Sequence, residues 1–234
     1  MDLLLIAIAP VAIIAFYVWY RDHYEREPIG LVLKAMAAGI LIVLPVVAVE
    51  TILSRGSEIF GGMAEVAYTA FVVAGFTEEF FKYLVLNLLF WKSRDFNDKY
   101  DGIVYATFIS LGFAGMENVL YVLQSGWSTG IMRAVTAVPA HAIFGITMGF
   151  YFGLARFYIG RQKEFKIKAL WLPVVLHGIY DFILMTGIAW LWIVFAGFVI
   201  YLYVSGLRRM KILSEQSYYR TDYELLNRKF GKVD

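Results

Sequence analysis

Two adjacent glutamates and a lysine interrupt an apolar stretch, GFTEEFFKYL, at residues 75–84. At 3.6 residues per helical turn, Lys82 lies about 40° from Glu78 and about 60° from Glu79 around the helix axis, and thus between them. We expect its ammonium group to neutralise one carboxylate, which leaves the other as a desolvated acid able to accept or release a proton. Hydrolytic sites and proton-conducting sites both need such a group.

Other apolar stretches contain further polar side chains of this kind. They are Glu117 and Asn118, then His141, and finally His177 and Asp181. His177 and Asp181 are four residues apart and share a helical face, where the carboxylate can orient or charge the imidazole. A glutamate that deprotonates water, together with imidazole groups that stabilise an oxyanion, would hydrolyse an acyl bond.

Two other kinds of chemistry fit these residues less well. The chain has no cysteine, and no serine lies in a nucleophile-elbow pattern, which disfavours nucleophilic catalysis. Glutamate and histidine are zinc ligands, but the H-E-x-x-H pattern of zinc peptidases is absent. We therefore predict no cofactor and keep a metal site at these residues as an open alternative.

The elements that hold these side chains must lie in a membrane. The 234-residue chain is 60% hydrophobic and 17% charged, with a mean hydropathy of +0.66, whereas soluble domains are about 45–50% apolar and about 25% charged. The lipid bilayer is therefore an expected partner, and a net charge of +2 gives no basis for nucleic acid as another. Without cysteine, disulfides and thiolate metal sites are excluded.

Seven apolar runs are long enough to cross a bilayer core, which takes about 20 residues each. They cover approximately residues 3–20, 31–53, 66–91, 102–123, 134–156, 170–187 and 189–207. The predicted fold is all-α, a polytopic membrane helix bundle of about seven transmembrane helices. Eighteen of the 21 lysines and arginines lie between alternate runs, at the adjoining ends of those runs or in the tail, so the positive-inside rule places the N-terminus outside and the C-terminus in the cytoplasm.

Depth in the membrane connects the polar residues to one another. Counted at 1.5 Å per residue, the ionisable side chains of four predicted helices lie about 9–15 Å from the outer ends of those helices. This agreement indicates one shared site between the outer leaflet and the midplane. Taken singly, each polar residue would equally fit an interhelical hydrogen bond. Small residues at four-residue spacing run towards His141 and Asn118 and predict close helix packing there: Gly145, Gly149 and Gly153 on one helix, and Gly102, Ala106, Ser110 and Ala114 on the other.

Four motifs in order, EEFFKY, FAGMEN, HAIFG and HGIYD, resemble those of the PrsW family of bacterial membrane proteases. That family lies within the CPBP clan of glutamic intramembrane proteases, which also contains the CAAX prenyl endopeptidases. The resemblance extends over about three-quarters of the chain, from YWYRDHYEREP near the N-terminus to HGIYDFIL. It implies a multi-pass protease of the bacterial cell membrane that makes the site-1 cut in a single-pass substrate, an anti-sigma factor, near its extracytoplasmic side.

The resemblance also implies roles for individual residues. Glu78 would be the water-activating base and Glu79 its partner, while His177 would stabilise the oxyanion together with Asp181. His141 would orient water or substrate. The prenyl-endopeptidase branch commonly has histidine in the second motif and asparagine in the fourth, where this chain has glutamate and aspartate. The predicted catalytic set is Glu78, Glu79, Glu117, His141, His177 and Asp181.

Three functional classes are compatible with the residues alone. The first is a membrane peptidase, with a protease domain at 1–207, a catalytic core at 66–187 and a basic cytoplasmic tail at 208–234. The second is a proton-coupled transporter or channel, because buried carboxylates and histidines also form proton relays. The third is a non-catalytic membrane scaffold that retains such a pocket. The absence of paired halves with broken helices disfavours the transporter.

Overall fold

The computed structural model describes residues 2–22 and 24–220, and over these ranges the chain forms helices and no strands. A π-helical segment, Thr69–Phe76, joins the fourth helix to the fifth, and short 3₁₀ turns lie at Ser57–Ile59 and Ile159–Arg161. The α-helices are α1 (Asp2–Arg21), α2 (Ile29–Leu41), α3 (Val43–Ser54), α4 (Met63–Tyr68), α5 (Thr77–Phe90), α6 (Lys99–Val135), α7 (Ala137–Phe157), α8 (Gln162–Met185) and α9 (Leu191–Glu215).

Five helical segments of the described chain are long and apolar enough to cross a membrane. They are Leu3–Arg21, Ile29–Ile59, Lys99–Phe157, Ile159–Met185 and Leu191–Glu215. The all-α membrane fold is therefore confirmed, while the count of seven spans and the orientation stay predictions. The segment Lys99–Phe157 contains two of the predicted spans, and the predicted span 66–91 carries three ionisable side chains.

The α6 helix contains a sharp reversal, which lies within the loop expected between the predicted spans 102–123 and 134–156. Gly126 has φ +76° and ψ −161°, a conformation that only glycine adopts without strain, and it interrupts the helix there. The nine residues that follow, 127–135, were expected to form mostly a loop and are helical instead. Because of this reversal Arg133 returns to the level of Glu117, with which it forms an ion pair.

Close packing of α6 on α7 depends on the predicted rows of small residues. A β-carbon on Gly102 would lie 2.6 Å from the carbonyl oxygen of Gly149, and one on Gly149 would overlap the backbone of Gly102. Gly153 has the same relation to the backbone of Lys99. The two backbones are in direct contact, as small-residue helix interfaces allow, and this contact sets the position of His141 on α7.

The π-helical segment leads directly into the glutamate pair. Its Gly75 lies against the backbone of α8 at Val174 and Gly178, and a β-carbon on Gly178 would overlap the ring of Phe71. A π-helix adds a residue to the turn and changes which side chains face a neighbour, a feature frequently found at functional sites. Here it brings the start of α5 against the part of α8 that carries His177.

The last helix extends into the predicted tail. The α9 helix ends at Glu215, eight residues beyond the predicted boundary at 207. Residues 221–234, the last part of the predicted tail, lie outside the described residues. The domain limits 1–207, 66–187 and 208–234 stay predictions.

Candidate active site

The first turns of α5 hold three ionisable side chains in mutual contact. Lys82 Nζ lies 2.8 Å from Glu79 Oε1 and 3.1 Å from Glu78 Oε2. The flexible four-carbon stem of Lys82 lets its ammonium contact both carboxylates, while its single positive charge still balances only one of their two negative charges. Lys82 is completely buried, and its ammonium also lies 4.3 Å above the ring of Phe113.

His177 on α8 connects two carboxylates. Its Nδ1 lies 3.1 Å from Glu79 Oε1, and its Nε2 lies 3.2 Å from Asp181 Oδ2. The expected pairing of His177 with Asp181, one helical turn apart, is therefore present. Phe144 of α7 stacks on the imidazole, with ring centroids 4.9 Å apart and planes 22° apart. With a carboxylate at each nitrogen and a ring stacked on its face, His177 is held in one orientation.

His141 on α7 lies between α5 and α6. Its Nδ1 is 3.2 Å from Lys82 Nζ, and its Nε2 is 3.2 Å from Glu117 Oε2. Since an ammonium can only donate, Nδ1 accepts from Lys82 and Nε2 carries the proton that it donates to Glu117. The pattern of partners thus assigns the tautomer of His141.

Glu117 and Asn118 are tied to Arg133 beyond the reversal of α6. Arg133 Nη2 donates to Glu117 Oε2 at 2.6 Å, and its Nε donates to Asn118 Oδ1 at 3.1 Å. The Asn118 amide in turn donates to the carbonyl oxygen of Ala7 at 2.9 Å. Asn118 thus joins α6 to α1 through an interhelical hydrogen bond. This is the structural role that the sequence allowed for each polar residue taken singly.

A cavity of about 190 Å³ opens among these helices. Five of the six predicted catalytic residues line it, and Glu79 does not. Glu79 lies behind them with no exposed side-chain surface, whereas 7% of the Glu78 side chain is exposed. The polar and ionisable lining residues are Glu50, Glu78, Glu117, Tyr121, Arg133, His141, His177, Tyr180 and Asp181.

Two of these ionisable residues were missed by the sequence analysis. Glu50, near the end of α3, falls inside the predicted span 31–53, so its presence in an apolar run was a usable signal. Arg133 was counted as an outer-loop residue, although basic residues are rare on that side. Both line the cavity, which shows that the site receives side chains from α3 and from the end of α6 as well.

The charges around the cavity do not balance unless protons are shared. Five carboxyl groups, those of Glu50, Glu78, Glu79, Glu117 and Asp181, face two permanent cations, Lys82 and Arg133. Two imidazoles complete the set. Buried charges must be paired or neutralised by protonation, so some of these groups hold protons that a reaction could use.

Comparison with known proteins decides the family. The model of the PrsW family, described as intramembrane metalloproteases, matches residues 27–207. The chain belongs to the PrsW family. It is 37% identical to Protease PrsW of Geobacillus kaustophilus over 205 residues, which cover 87% of this chain and 88% of that protein. Protease PrsW of Clostridioides difficile is 36% identical over 217 residues, covering 90% and 91%, and that of Bacillus subtilis is 35% identical over 205 residues, covering 87% and 92%.

Membership of the PrsW family confirms the expected enzyme class, an intramembrane peptidase, in preference to a transporter or a scaffold. No solved structure matches the chain. The six residues predicted as catalytic contact one another directly or through Lys82, and their catalytic roles stay predictions.

The family description raises the question of a metal. Glu78, Glu79, His141 and His177 each offer one ligand atom, and these atoms lie within 4.8 Å of one another. By donor type and reach the four residues could hold zinc. However, the Lys82 ammonium lies within 3.2 Å of a donor atom on three of them. In this structure the Lys82 ammonium occupies that point of convergence, so these residues would hold a metal ion only after Lys82 had moved away.

Proposed function

We propose that the chain is a membrane-embedded endopeptidase of the bacterial cell membrane in which Glu78 activates the attacking water. Its substrate would be a single-pass membrane protein, an anti-sigma factor, cut near the extracytoplasmic side. Family membership supports the peptidase reaction. The choice of substrate is supported by the resemblance to the PrsW motifs and by the similar predicted depth of the ionisable residues.

The single observation on which the mechanism depends is the difference between the two adjacent glutamates. A general base must be within hydrogen-bond reach of the water from which it removes a proton. Glu78 lines the cavity and has exposed surface, whereas Glu79 is completely buried and held by Lys82 and His177. Glu78 is therefore the better base, and Glu79 serves to hold the other two residues in position.

Two imidazoles lie near Glu78 without a direct hydrogen bond to it. Glu78 Oε2 lies 3.9 Å from His141 Nδ1, and Glu78 Oε1 lies 4.0 Å from His177 Nε2. Both distances are too long for a direct hydrogen bond. Lys82 Nζ already bridges Glu78 Oε2 and His141 Nδ1, so the attacking water would sit on the open side of Glu78, at the cavity, and lose its proton to Glu78.

The tetrahedral intermediate needs a donor on the other side of the reacting carbonyl. His177 faces the cavity with Nε2, close to Asp181, while Glu79 fixes Nδ1. In this position Nε2–H would donate to the developing oxyanion. Preorganised donors of this type contribute a large share of the rate in acyl transfer. Proton transfer from Glu78 to the leaving amine would then complete the cleavage.

A cleavage assay in detergent tests this proposal. The substrates are tagged single-pass membrane proteins, and Glu78→Gln, Glu79→Gln and His177→Ala are compared with wild type and with the exposed control variant Glu164→Gln. We expect the three site variants to lose cleavage and the control to retain it. Wild-type rates in all three site variants would rule out the mechanism.

The metal alternative requires its own arm of the same assay. We would use 1,10-phenanthroline, whose nitrogen donors favour zinc over magnesium and calcium. The expected result is an unchanged cleavage rate. Loss of activity that zinc restores would instead assign Glu78, Glu79, His141 and His177 to a metal centre.

Substrate choice is tested by mapping the cut. Anti-sigma factors and unrelated single-pass proteins would be incubated with the enzyme, and the new termini identified by mass spectrometry. We expect a cut within or just outside the membrane on the extracytoplasmic side of an anti-sigma factor. Cleavage confined to other single-pass proteins, or at the cytoplasmic side, would contradict this part of the proposal.

A further inference from the structure

A second group of acidic side chains lies outside the cavity, where the connection between α1 and α2 meets the start of α6. Glu25, Glu27 and Asp101 each offer one carboxylate oxygen, and these oxygens lie within 4.8 Å of one another. Glu27 is 3% exposed and Asp101 is fully buried. Asp101 precedes Glu117 by sixteen residues on the same helix, about 24 Å at the helical rise. The group is therefore separate from the candidate active site.

Hydrogen bonds fix one oxygen of each carboxylate. Backbone N–H groups of Asn97 and Asp98 donate to Asp101 Oδ2 at 2.9 and 2.6 Å. The Asn97 side-chain amide donates to Glu25 Oε1 at 3.3 Å. The hydroxyl of Tyr105 donates to Glu27 Oε2. The three carboxylates are thus held in fixed orientations by protein donors.

The second oxygen of each carboxylate has no such donor. Within residues 2–22 and 24–220, the buried atoms Glu25 Oε2, Glu27 Oε1 and Asp101 Oδ1 have no hydrogen-bond partner, and neither has Asn97 Oδ1. Buried polar oxygens are almost always satisfied in native proteins. These four buried oxygens lie close together without a hydrogen-bond donor, which indicates that a proton or a cation is missing between them.

Neighbouring charges make this need stronger. Asp95 and Asp98 lie near enough to add further negative charge to the group. The group therefore requires either a cation or shared protons to be stable.

We propose that Glu25, Glu27 and Asp101 bind a hard divalent cation, magnesium or calcium, at this end of the helix bundle. All the available donors are carboxylate or amide oxygens, which suit Mg²⁺ and Ca²⁺ and not softer metals. The cation would fasten the α1–α2 connection to the first turn of α6. It stabilises the fold and takes no part in hydrolysis.

Binding to the wild-type protein is the first test. The full-length protein in detergent is stripped with EDTA, and its thermal unfolding is followed while MgCl₂ or CaCl₂ is added at constant ionic strength. We expect a saturable rise in the unfolding midpoint with at least one of the two cations. A midpoint that does not move with either ion would overturn the proposal and favour shared protons as the stabilising element.

Terbium luminescence locates the bound ion. Tb³⁺ replaces calcium in oxygen sites, and Tyr105, which contacts Glu27, would sensitise its emission. Glu25→Gln and Glu27→Gln should weaken binding by about tenfold or more, whereas Glu164→Gln and the active-site variant Glu79→Gln should not. Emission that survives both cluster variants and is lost in Glu79→Gln would move the ion to the candidate active site and refute the proposal.

A basic segment of the chain itself is the competing occupant. Arg228, Lys229 and Lys232 lie outside the described residues and could supply positive charge. We would replace all three with glutamine in the full-length chain and repeat the titration. Unchanged cation affinity is expected. Binding that appears only in this triple variant would show that the basic segment, and not a metal ion, is the natural partner of the cluster.

Discussion

Replacing Lys82 with methionine is the most informative single perturbation of the site. Methionine keeps the length and apolar stem of lysine and removes the charge. At 2.8 Å from Glu79 Oε1 and 3.1 Å from Glu78 Oε2, each ion pair has a gross attraction of about 5–6 kcal/mol at an effective dielectric constant of about 20. Desolvation offsets part of this, and removing one partner of a buried pair costs about 3–5 kcal/mol. We expect Lys82→Met to lower the free energy of unfolding by that amount.

A double-mutant cycle with Glu79→Gln isolates the interaction. Lys82→Met leaves the buried Glu79 without its cation, whereas in Glu79→Gln the ammonium keeps Glu78 as a partner, and the double variant removes both members of the closer pair. The double variant should therefore be more stable than the sum of the single effects by about 2–3 kcal/mol. The assay is equilibrium unfolding of the purified protein in mixed micelles. Single effects that add within about 0.5 kcal/mol would refute the ion pair as a stabilising contact.

Activity in the same variants gives an independent result. Lys82 donates hydrogen bonds to both glutamates and so holds Glu78 in the orientation that a general base needs at the cavity. We expect the Lys82→Met/Glu79→Gln double variant to regain stability and to remain inactive. Recovery of both properties together would mean that Lys82 has only a structural role.

Three further predictions concern the surroundings of the site. Gly149→Ala forces a methyl group into the backbone of α6, so we expect a loss of about 1–3 kcal/mol in the free energy of unfolding and slower cleavage. The control Gly197→Ala, at a position with open space around it, should be neutral or slightly stabilising. Equal unfolding midpoints for the two variants would contradict the close contact between α6 and α7. Asn118→Leu removes an interhelical hydrogen bond and should lower the free energy of unfolding by about 0.6–1.7 kcal/mol. Equilibrium unfolding measures this change, and a gain in stability would contradict the prediction. Arg133→Met leaves Glu117 without the arginine that pairs with it at the cavity. This change should raise KM more than it lowers kcat in the cleavage assay. An unchanged KM would exclude Arg133 from substrate binding.

Much of the site could be predicted because lipid makes ionisable residues conspicuous. In an apolar segment Glu78, Glu117 and His141 have no solvent to face, so each must find a protein partner or water. Helical rise then relates position along the chain to depth. The depth argument correctly indicated that these residues meet, and the structure places them within one network of contacts.

The remainder depended on features that periodicity does not encode. The reach of Lys82 to both glutamates follows from side-chain length and rotamer, which helical angles do not contain. A turn between the spans 102–123 and 134–156 was expected, but the helical form of residues 127–135 was not, because so short a stretch gives no distinctive periodicity. As a consequence Arg133 was assigned to a loop. Glu50 lies one turn from a helix end, where a charge is usually solvated.

The cleavage rate of Glu78→Gln tests the central claim most directly. Wild type, Glu78→Gln and Glu79→Gln would be compared under single-turnover conditions with one membrane-anchored substrate, and substrate binding would be measured separately by crosslinking. Loss of a general base lowers the rate by about 10²–10⁴-fold, so we predict a loss of that size in Glu78→Gln with binding retained. A Glu78→Gln rate within tenfold of wild type would contradict the account. If Glu79→Gln were inactive while Glu78→Gln remained active, the base would be Glu79.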